Sequence, residues 1–446
     1  MKNELNNKGN LKPLALFLSG GALFSMHFGA SSMVWPMNWG KDCGSSLLPA
    51  FAGAFITALL LVVAGYVALA KGKGSYVHLT KEVGGAKLGL IYACITIAIN
   101  GPLYCIPRMS AAAWDSVLQA FGFQPESRLP LILFTIVFYI ISYIFLMSPG
   151  KAMDRISAIL FPLLLVIVIA VIGKGLVSPL GEIQPRVYES SAFAYGFTNG
   201  YATGEILCAL IFGAVIVNSL KTKGVGESAI TKNMIYVGIV GVGMLTLTHF
   251  SHMVIGATSA SVFPDLNYTA LYTAVATALY GKTGGILFCI ALFLAALTTS
   301  IGMTSGCAEF YVDATDNKLS YKQVSLAITV LSVIFGCLGL TNILSYLGPV
   351  LDGVYPPVII LVLYYSLFKK PDDKDNLRGA RYAFITALVF GAADMIWKYL
   401  VKFNAAEGLC SVYTKVPLAS VSLAWIPWPV VAFLIGCFAV KNKRKA

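Results

Sequence analysis

Apolar residues run in long unbroken stretches along the chain, separated by short polar segments. Twelve of these stretches approach or exceed the roughly 20 residues that a helix needs to cross about 30 Å of hydrocarbon. They are continuous rather than alternating, which excludes the strands of a membrane β-barrel. The pattern therefore predicts an all-α integral membrane protein with twelve transmembrane helices, called here spans 1 to 12: 12–36, 47–70, 88–106, 130–147, 155–173, 191–217, 233–256, 284–308, 323–339, 343–368, 380–397 and 418–440.

The composition agrees with a membrane location. Of the 446 residues, 57% are hydrophobic and only 12% are charged, which is about half the charged fraction of an ordinary soluble protein. No polar stretch is long enough to cover a soluble domain. Span 1 is too long for the apolar region of a cleaved signal peptide and lacks a small-residue cleavage site.

The positions of the basic residues predict how the chain is oriented. If the N-terminus is cytoplasmic, 23 of the 32 Lys and Arg residues fall in cytoplasmic segments and only nine fall outside. Cytoplasmic loops of membrane proteins are enriched in Lys and Arg. We therefore expect both termini to be cytoplasmic and the protein to lie in the cell inner (plasma) membrane. The net charge of +12 then reports orientation and does not require a nucleic-acid partner.

The sequence carries no motif of an enzyme, a primary pump or a metalloprotein. The stretch 276–283 approximates a phosphate-binding loop but has Ala276 where glycine is required, and neither HExxH nor CxxC occurs. We therefore expect no enzymatic activity, no cofactor and no nucleotide partner. Cys43 and Cys410 both fall in predicted external loops, and whether they form a disulfide stays open.

Span 1 contains a local weak point in its helical pattern. A glycine and two hydroxyl residues, Gly29, Ser31 and Ser32, stand together a few residues before Pro36. Glycine and serine compete with helix formation. We therefore predict that span 1 unwinds within residues 28–32.

Span 6 contains a second candidate for an interruption. Gly196, Gly200 and Gly204 recur every four residues, with polar side chains among them and Glu205 immediately after. Such a stripe is typical either of close helix packing or of local unwinding, and span 6 alone does not decide between them.

The positions of spans 1 and 6 favour unwinding. They are the first members of two five-span blocks, and interrupted helices at corresponding positions of two inverted repeats indicate a substrate site at the middle of the membrane. The predicted divisions are 1–176 for the first repeat, 177–370 for the second, and 371–446 for spans 11 and 12 with a basic tail.

An interrupted helix exposes backbone groups that bind small ions. Freed N–H groups at the start of a half-helix bind a carboxylate, and freed carbonyls bind a cation such as Na⁺. Span 8 adds three adjacent hydroxyls at 298–300. These hydroxyls either bond to carbonyls of their own helix or join carbonyls of span 1 in a cage for a monovalent cation. The pattern favours a zwitterionic amino acid as substrate.

Five segments of the sequence resemble the branched-chain amino acid:cation symporter family. LFSMHFGASSMVWP at 23–36 resembles a family segment that contains FGAGN, and NGPLYCIPR at 100–108 resembles GPLFAIPR. GYATGEILCALIFG at 200–213 resembles GYNTMDALAALVFG. LAALTTSIGMTSGCAEF at 294–310 resembles LACLTTAIGLTTACAEYF, and VYPPVIIL at 354–361 resembles LYPPAIVL. Together they extend over nearly the whole chain.

This resemblance implies a leucine-transporter-like fold, with a 5+5 inverted repeat, unwound helices 1 and 6 and two added C-terminal helices. It implies import of Leu, Ile and Val by alternating access, coupled to Na⁺. The implied substrate-binding residues are Gly29, Ala30, Ser31, Ser32, Phe197, Thr198, Gly200, Tyr201 and Thr203. The implied Na⁺ ligands are carbonyls of Ser25 and Phe28 and the hydroxyls of Thr298 and Thr299.

The sequence departs from the family pattern around the implied pocket. Ser31 and Ser32 stand where the family has Gly-Asn, and Glu205 stands where it has Asp. Methionine or another apolar amino acid is therefore an open alternative as substrate. A non-transporting amino acid sensor is a distant alternative, because the loops contain no output module.

Two ionisable residues lie beside the predicted interruptions. His27 either titrates and couples transport to protons or stays neutral with its imidazole bonded to a nearby carbonyl. Glu205 is expected to be buried and hydrogen-bonded, with a role in gating. The choice between Na⁺ and H⁺ as coupling ion stays open.

Other charged residues have structural interpretations. Asp352 is expected to face an outer vestibule, and Asp394 to pair with Lys398 four residues later. Arg108 is expected to reach toward the membrane surface or to serve an external gate.

Overall fold

The computed structural model describes residues 9–147, 151–370 and 373–438, and every regular element in these ranges is a helix. Short π-helical turns join α3 to α4 and α6 to α7. The helices of the first half are α1 Pro13–His27, α2 Ala30–Cys43, α3 Leu47–Ala54, α4 Leu61–Lys71, α5 Tyr76–Gly84, α6 Ala86–Ala98, α7 Ile106–Phe121, α8 Leu129–Met147 and α9 Lys151–Val177.

The second half contains the longest helices and ends in two shorter ones. A 3-10 turn joins α10 to α11, and a π-helical turn extends α16. The helices are α10 Ala192–Asn199, α11 Glu205–Thr222, α12 Glu227–Ser259, α13 Tyr268–Ala314, α14 Tyr321–Gly336, α15 Leu340–Leu347, α16 Val350–Leu363, α17 Lys374–Lys402, α18 Glu407–Tyr413 and α19 Pro427–Phe438.

Many of these helices are long and apolar enough to cross a membrane. In the described part of the chain there are eight such stretches, or nine if the bent pair α14 and α15 is one span. Three shorter apolar helices add to them: Pro13–His27, Leu164–Val177 and Pro427–Phe438. The all-helical membrane class is confirmed, whereas the count of twelve spans stays a prediction.

Two predicted boundaries near the C-terminus are wrong. Residues 343–347, predicted as the start of span 10, belong to α15, which is bent by 102° from α14. Residues 418–426, predicted as the start of span 12, form turns, and α19 begins at Pro427. Proline is favoured at the first position of a helix, because its missing N–H would have no partner there, which is consistent with a start at Pro427.

Span 1 is interrupted, as the sequence predicts, over a shorter stretch. Only Phe28 and Gly29 have non-helical backbone angles, with ψ of 67° and −171°. Residues 30–32 form the first turn of α2 instead of unwinding. The interruption lies against α13, because a Cβ at residue 29 would be 2.7 Å from Oγ1 of Thr299. Glycine permits this approach.

Span 6 is interrupted over residues 200–204, and both interpretations of its glycines apply. A Cβ at Gly196 would lie 1.8 Å from the carbonyl oxygen of Ala50 in α3, so Gly196 serves close packing. Gly204 adopts φ of +78°, a left-handed conformation that favours glycine, directly before α11 begins. The stripe therefore packs at one end and breaks the helix at the other.

Helix α12 packs against both α1 and α2 and so runs past the interruption between them. A Cβ at Gly40 would lie 1.8 Å from the carbonyl oxygen of Met253, and one at Gly256 would lie 1.9 Å from that of Met37. Small residues at such contacts let two helix backbones meet. Helix α13 packs against α7 and also contacts α2. The interrupted part of span 1 therefore lies inside the helix assembly.

Candidate transport site

The two interrupted spans meet at a buried pair of ionisable side chains. Nδ1 of His27, the last residue of α1, contacts Oε2 of Glu205, the first residue of α11. The other ring nitrogen, Nε2, lies 2.5 Å from the hydroxyl of Tyr66 in α4. The expectation that the His27 imidazole bonds to a carbonyl is wrong, because a carboxylate and a hydroxyl occupy both of its nitrogens.

Ser32 connects this pair to the other side of the span 1 interruption. Its Oγ lies 2.5 Å from the carbonyl oxygen of His27 and 2.6 Å from Oε1 of Glu205. Ser32 and Glu205 are 1% and 4% exposed. Glu205 is therefore buried and hydrogen-bonded, as the sequence predicts. Through His27 and Ser32, Glu205 at the start of α11 contacts both the end of α1 and the first turn of α2.

The first turn of α2 presents unpaired backbone donors to the interruption. The N-cap residue is Gly29, which has no side chain to accept a hydrogen bond. The N–H groups of Ala30, Ser31 and Ser32 lack partners within the helix because they belong to its first turn. All three residues are buried. The helix dipole and these donors together suit a carboxylate.

The three hydroxyls of span 8 have different surroundings. The hydroxyl of Thr298 donates to the carbonyl oxygen of Ala295 at 3.0 Å, and Ser300 bonds to Ser142 at 3.1 Å. Thr299 lies beside Gly29, and its hydroxyl has no hydrogen-bond partner among the residues that the structure describes. Of the three, only the Thr299 hydroxyl is placed at the interruption by these contacts. Ser25 is half-buried and Phe28 is buried.

The predicted residues of span 6 are mostly satisfied by local bonds. Thr198 donates to the carbonyl oxygen of Ala194 at 2.9 Å, and Thr203 donates to that of Gly200 at 2.8 Å. Tyr201 differs from them. Its ring stacks on Tyr355 with centroids 5.0 Å apart, and its buried hydroxyl has the indole N–H of Trp425 beside it but no acceptor for its own proton within the described ranges.

Phe197 and Gly200 contact span 2. The hydroxyl of Thr57 donates to the carbonyl oxygen of Phe197 at 2.8 Å. A Cβ at Gly200 would lie 2.0 Å from the same hydroxyl. Thr57 therefore supports the interruption of span 6 from the neighbouring helix.

The sequence did not indicate three residues of this region. Tyr66 and Thr57 lie in apolar spans with no distinguishing motif. Asn100 lies 2.6 Å from where a Cβ of Gly204 would stand, within the π-helical turn Ile99–Cys105. Of the three, only Asn100 could have been found from the sequence, since its polar amide stands two residues before Pro102 within an apolar span.

Two cavities approach the interruptions from opposite directions. One of about 240 Å³ is lined by Trp35 of α2 and by Thr198 and Tyr201 of span 6. Another of about 640 Å³ is lined by Met26 of α1 and Phe212 of α11. The residues between these linings, including the His27–Glu205 pair, therefore separate the two cavities along both spans. They are called here the outer and the inner cavity, after the orientation that the sequence predicts.

The remaining charged residues correct three expectations. Lys398 pairs with Asp352 at 2.8 Å and not with Asp394, which accepts a hydrogen bond from the Tyr413 hydroxyl at 2.9 Å. Asp352 lines the cavity of about 240 Å³, where it is buried and paired rather than exposed to water. Arg108 does not reach the surface: it is wholly buried, and its guanidinium lies 4.0 Å from the centroid of the Tyr104 ring.

Within the described ranges, the cysteines and the acidic residues form no metal site. Cys43 and Cys410 are free thiols, as are the other seven cysteines. No group of three or more His, Cys, Asp or Glu residues that could hold a metal ion occurs in the described ranges.

The sequence matches known proteins over nearly its full length. Residues 14–443 match the family described as Branched-chain amino acid transport protein. The branched-chain amino acid permease BrnQ of Salmonella typhimurium is 31% identical over 435 residues, which cover 96% of this chain and 95% of that one. The chain belongs to the branched-chain amino acid transport protein family. A second member, the branched-chain amino acid transport system 2 carrier protein of Pseudomonas aeruginosa, is 29% identical over 424 residues, 94% of either chain.

Solved structures show the fold of this family member. Mhp1, a nucleobase-cation-symport-1 family transporter in a closed conformation with bromovinylhydantoin bound, matches with a TM-score of 0.60 and 14% identity. The match covers 96% of this chain and 92% of Mhp1. The inward-facing conformation of Mhp1 matches with a TM-score of 0.61 and 13% identity, over 96% and 91% of the two chains. At such identities the similarity concerns the fold alone.

The family membership confirms several expectations from the sequence. The resemblance to branched-chain amino acid transporters holds over residues 14–443. Relatives are named as permeases and carrier proteins, so this member is a multi-pass membrane transporter and not an enzyme.

Proposed function

We propose that this branched-chain amino acid transporter imports Leu, Ile and Val together with Na⁺ by alternating access. The observation that carries the proposal is the meeting of interrupted spans 1 and 6 at His27, Ser32 and Glu205, between an outer and an inner cavity. A site that lies between two cavities is reached from either side when the helices around it move.

The proposed arrangement in the membrane follows the distribution of basic residues. Twelve spans place both termini in the cytoplasm, and the protein lies in the inner (plasma) membrane. Residues 1–176 and 177–370 form two inverted repeats, and 371–446 add spans 11 and 12. Mhp1 supports the overall fold.

The substrate binds through its charged groups to the backbone of the interrupted helices. Its carboxylate accepts hydrogen bonds from the N–H groups of Ala30, Ser31 and Ser32, which are buried and uncapped. Its side chain packs against span 6, where the rings of Phe197 and Tyr201 lie 5.9 Å apart. The remaining residues of the proposed substrate-binding site are Gly29, Thr198, Gly200 and Thr203.

The Na⁺ ion binds where span 1 meets span 8. The Thr299 hydroxyl lies beside Gly29 and bonds to no described residue, which leaves its oxygen available as a ligand. The other Na⁺ ligands are the carbonyls of Ser25 and Phe28 and the hydroxyl of Thr298. Binding the cation there orders the interruption and completes the substrate site.

The test is uptake of labelled Leu into proteoliposomes with an inward Na⁺ gradient and with choline in its place. We expect accumulation only with Na⁺, and competition by Ile and Val. Thr299→Ala should raise the Na⁺ concentration for half-maximal uptake about tenfold, which corresponds to about 1.4 kcal/mol. Ser300→Ala, which changes the neighbouring hydroxyl bonded to Ser142, is the matched control.

Each contrary result has a distinct meaning. Uptake that is indifferent to Na⁺ overturns the coupling, and absence of uptake under any gradient overturns transport. Binding of Leu without accumulation would instead favour a sensor. Competition by methionine equal to that by Leu would widen the substrate class to apolar amino acids.

Proton coupling is a second candidate, favoured by the buried His27–Glu205 contact. A proton that binds this pair changes the charge that joins spans 1 and 6. In that case an inward pH gradient drives Leu uptake without Na⁺, and His27→Gln abolishes this uptake. The same variant should still exchange Leu across the membrane when no gradient is applied.

A further inference from the structure

The outer cavity contains an ion pair that belongs to neither interrupted span. Lys398 of α17 places Nζ 2.8 Å from Oδ2 of Asp352 in the first turn of α16. Both residues line the cavity of about 240 Å³. The carboxyl is almost completely enclosed, with Asp352 4% exposed, whereas the Lys398 side chain is 33% exposed.

Such a pair is a poor device for stability. Removing a carboxylate and an ammonium group from water costs about as much as their attraction returns, so a buried ion pair is weak support for a structural role. Asp394, the partner that helix spacing offers to Lys398, is instead bonded to Tyr413. The pairing therefore places both charged residues in the lining of the same cavity.

We propose that the Asp352–Lys398 pair is an outer binding site for the zwitterionic head group of the substrate. This inference rests on the function proposed above and adds to it a site that precedes the interrupted helices. The α-ammonium group of the amino acid binds the Asp352 carboxylate, and its α-carboxylate binds the Lys398 ammonium group. One ion pair becomes two, and no charge is left uncompensated.

The cavity walls fit such a ligand. Tyr201 lines the cavity, and its buried hydroxyl lies beside the indole N–H of Trp425. Because that N–H is a donor, the proton of the Tyr201 hydroxyl has no acceptor among the described residues, and such a donor suits a ligand or water that accepts from it. Rings of Trp35 and Tyr268, 5.1 Å apart, provide an apolar wall. The volume lies below the roughly 300–1,000 Å³ of pockets for drug-sized ligands, so it suits one amino acid.

The inner cavity lacks a corresponding pair. Glu309 and Asp313 contribute acidic groups to its lining, and within the described ranges no Lys, Arg or His residue lines it. It therefore offers no paired charges to a zwitterion. The proposed site consequently acts on substrate that arrives from the outer cavity and not on substrate that leaves through the inner one. This asymmetry makes the proposal testable by sidedness.

The experiment compares Leu transport by Lys398→Gln in right-side-out and inside-out vesicles. We expect the KM for Leu to rise about tenfold from the outer side, a loss of about 1.4 kcal/mol, and to change less than twofold from the cytoplasmic side. Lys402→Gln is the matched control, because it removes the same charge one turn further along α17, where Nζ contacts Ser345. It should leave both KM values unchanged.

Competition by leucinamide, which has an ammonium group but no carboxylate, tests the geometry of binding. Removal of Lys398 leaves Asp352 without its cation. Lys398→Gln should therefore weaken competition by Leu while leucinamide competes at least as well as in the wild type. The double variant Asp352→Asn with Lys398→Gln leaves no unpaired carboxylate and carries the KM test if the Gln variant does not fold, and Lys398→Arg should keep the wild-type KM.

The failures are distinguishable. If the wild type accumulates no Leu under any gradient, the proposed function fails. The other failure requires that the wild type transports Leu. If Lys398→Gln and Lys402→Gln then have the same KM from the outer side and the same ratio of leucinamide to Leu competition, only the outer site is overturned.

Discussion

His27 and Glu205 are in contact although 178 residues separate them in the chain. One ends the first half of span 1, and the other begins the second half of span 6. Their contact, with Ser32 and Tyr66 around it, joins the two points at which helical hydrogen bonding is interrupted. Motion of one interrupted span therefore changes the surroundings of the other.

Removal of the Glu205 carboxylate should loosen this junction. Glu205→Ala leaves Nδ1 of His27 without its buried partner, which costs about 1–3 kcal/mol, whereas the Ser32 hydroxyl keeps the carbonyl oxygen of His27 as an acceptor. We expect a lower midpoint of thermal unfolding in detergent and loss of most Leu uptake. Glu205→Gln, which keeps one acceptor oxygen for Ser32, should lie between Ala and wild type. Glu182→Gln, in an exposed loop, is the control, and equal effects of Glu182→Gln and Glu205→Ala would contradict the prediction.

The contact between Gly29 and Thr299 should show coupling in a double-mutant cycle. Gly29→Ala places a methyl group 2.7 Å from the Thr299 hydroxyl, and overpacking of this kind costs about 1–3 kcal/mol. Thr299→Ala removes the opposing atom. Thermal unfolding should therefore show Gly29→Ala with Thr299→Ala to be more stable than Gly29→Ala alone, although Na⁺ dependence stays impaired. Additive losses would exclude the contact.

The two ends of the span 6 glycine stripe should respond differently to alanine. At Gly196 a methyl group meets the backbone of Ala50, so Gly196→Ala should prevent stable packing and reduce the amount of folded protein. At Gly204 alanine must adopt φ of +78°, at a cost of about 1–2 kcal/mol.

The matched control for both glycine variants is Gly243→Ala. Gly243 is exposed within α12, and a Cβ there meets nothing within 4 Å. Alanine at such a helix position is favourable by about 0.5–1 kcal/mol. Size-exclusion chromatography in detergent measures the folded fraction. A Gly196→Ala variant that behaves like Gly243→Ala would refute the packing assignment.

A cluster around Glu82 in the loop helix α5 should make stability depend on pH. Burial raises the pKa of the Glu82 carboxyl, but hydrogen bonds from Lys369 and Tyr365 and the Lys369 charge outweigh it, so the pKa lies below its usual value of 4.5. A lowered pKa contributes stability that is present above the unfolded-state value and is lost as pH falls through the folded-state value.

The corresponding measurement is the unfolding midpoint of the wild type and of Glu82→Gln between pH 7 and pH 4. The wild type should be more stable at pH 7, and the difference should shrink as the pH approaches the Glu82 pKa from above. Asp316→Asn, in the turn after α13, serves as the control. A difference between Glu82→Gln and the wild type that is constant over this pH range would rule out the carboxylate as its cause.

Much of the fold was predictable because membrane insertion depends on local composition. The length and apolar character of each stretch, and the side on which Lys and Arg accumulate, are properties of short segments. The interruption of span 1 was predictable for the same reason, since Gly29 and the serines after it weaken the helix locally. The starts of spans 10 and 12 were harder to predict from the sequence, because the turns and prolines there lie within apolar sequence.

The partners of the polar residues could not be predicted in the same way. Lys398 has Asp394 at a favourable spacing on its own helix, yet it pairs with Asp352 of α16. Tyr66 completes the His27 contact without any local signal. Of the adjacent hydroxyls in span 8, only Thr299 lies against Gly29, because helix rotation selects which residue faces span 1.

The sequence by itself determined that this chain is a helical membrane protein of the branched-chain amino acid transporter class with weak points in spans 1 and 6. Only the tertiary structure decided that those weak points meet through His27, Ser32 and Glu205, and that Asp352 and Lys398 share the outer cavity. Helix formation and insertion depend on neighbours in the chain, whereas the pairing of buried charges depends on how helices far apart in sequence pack and rotate against one another.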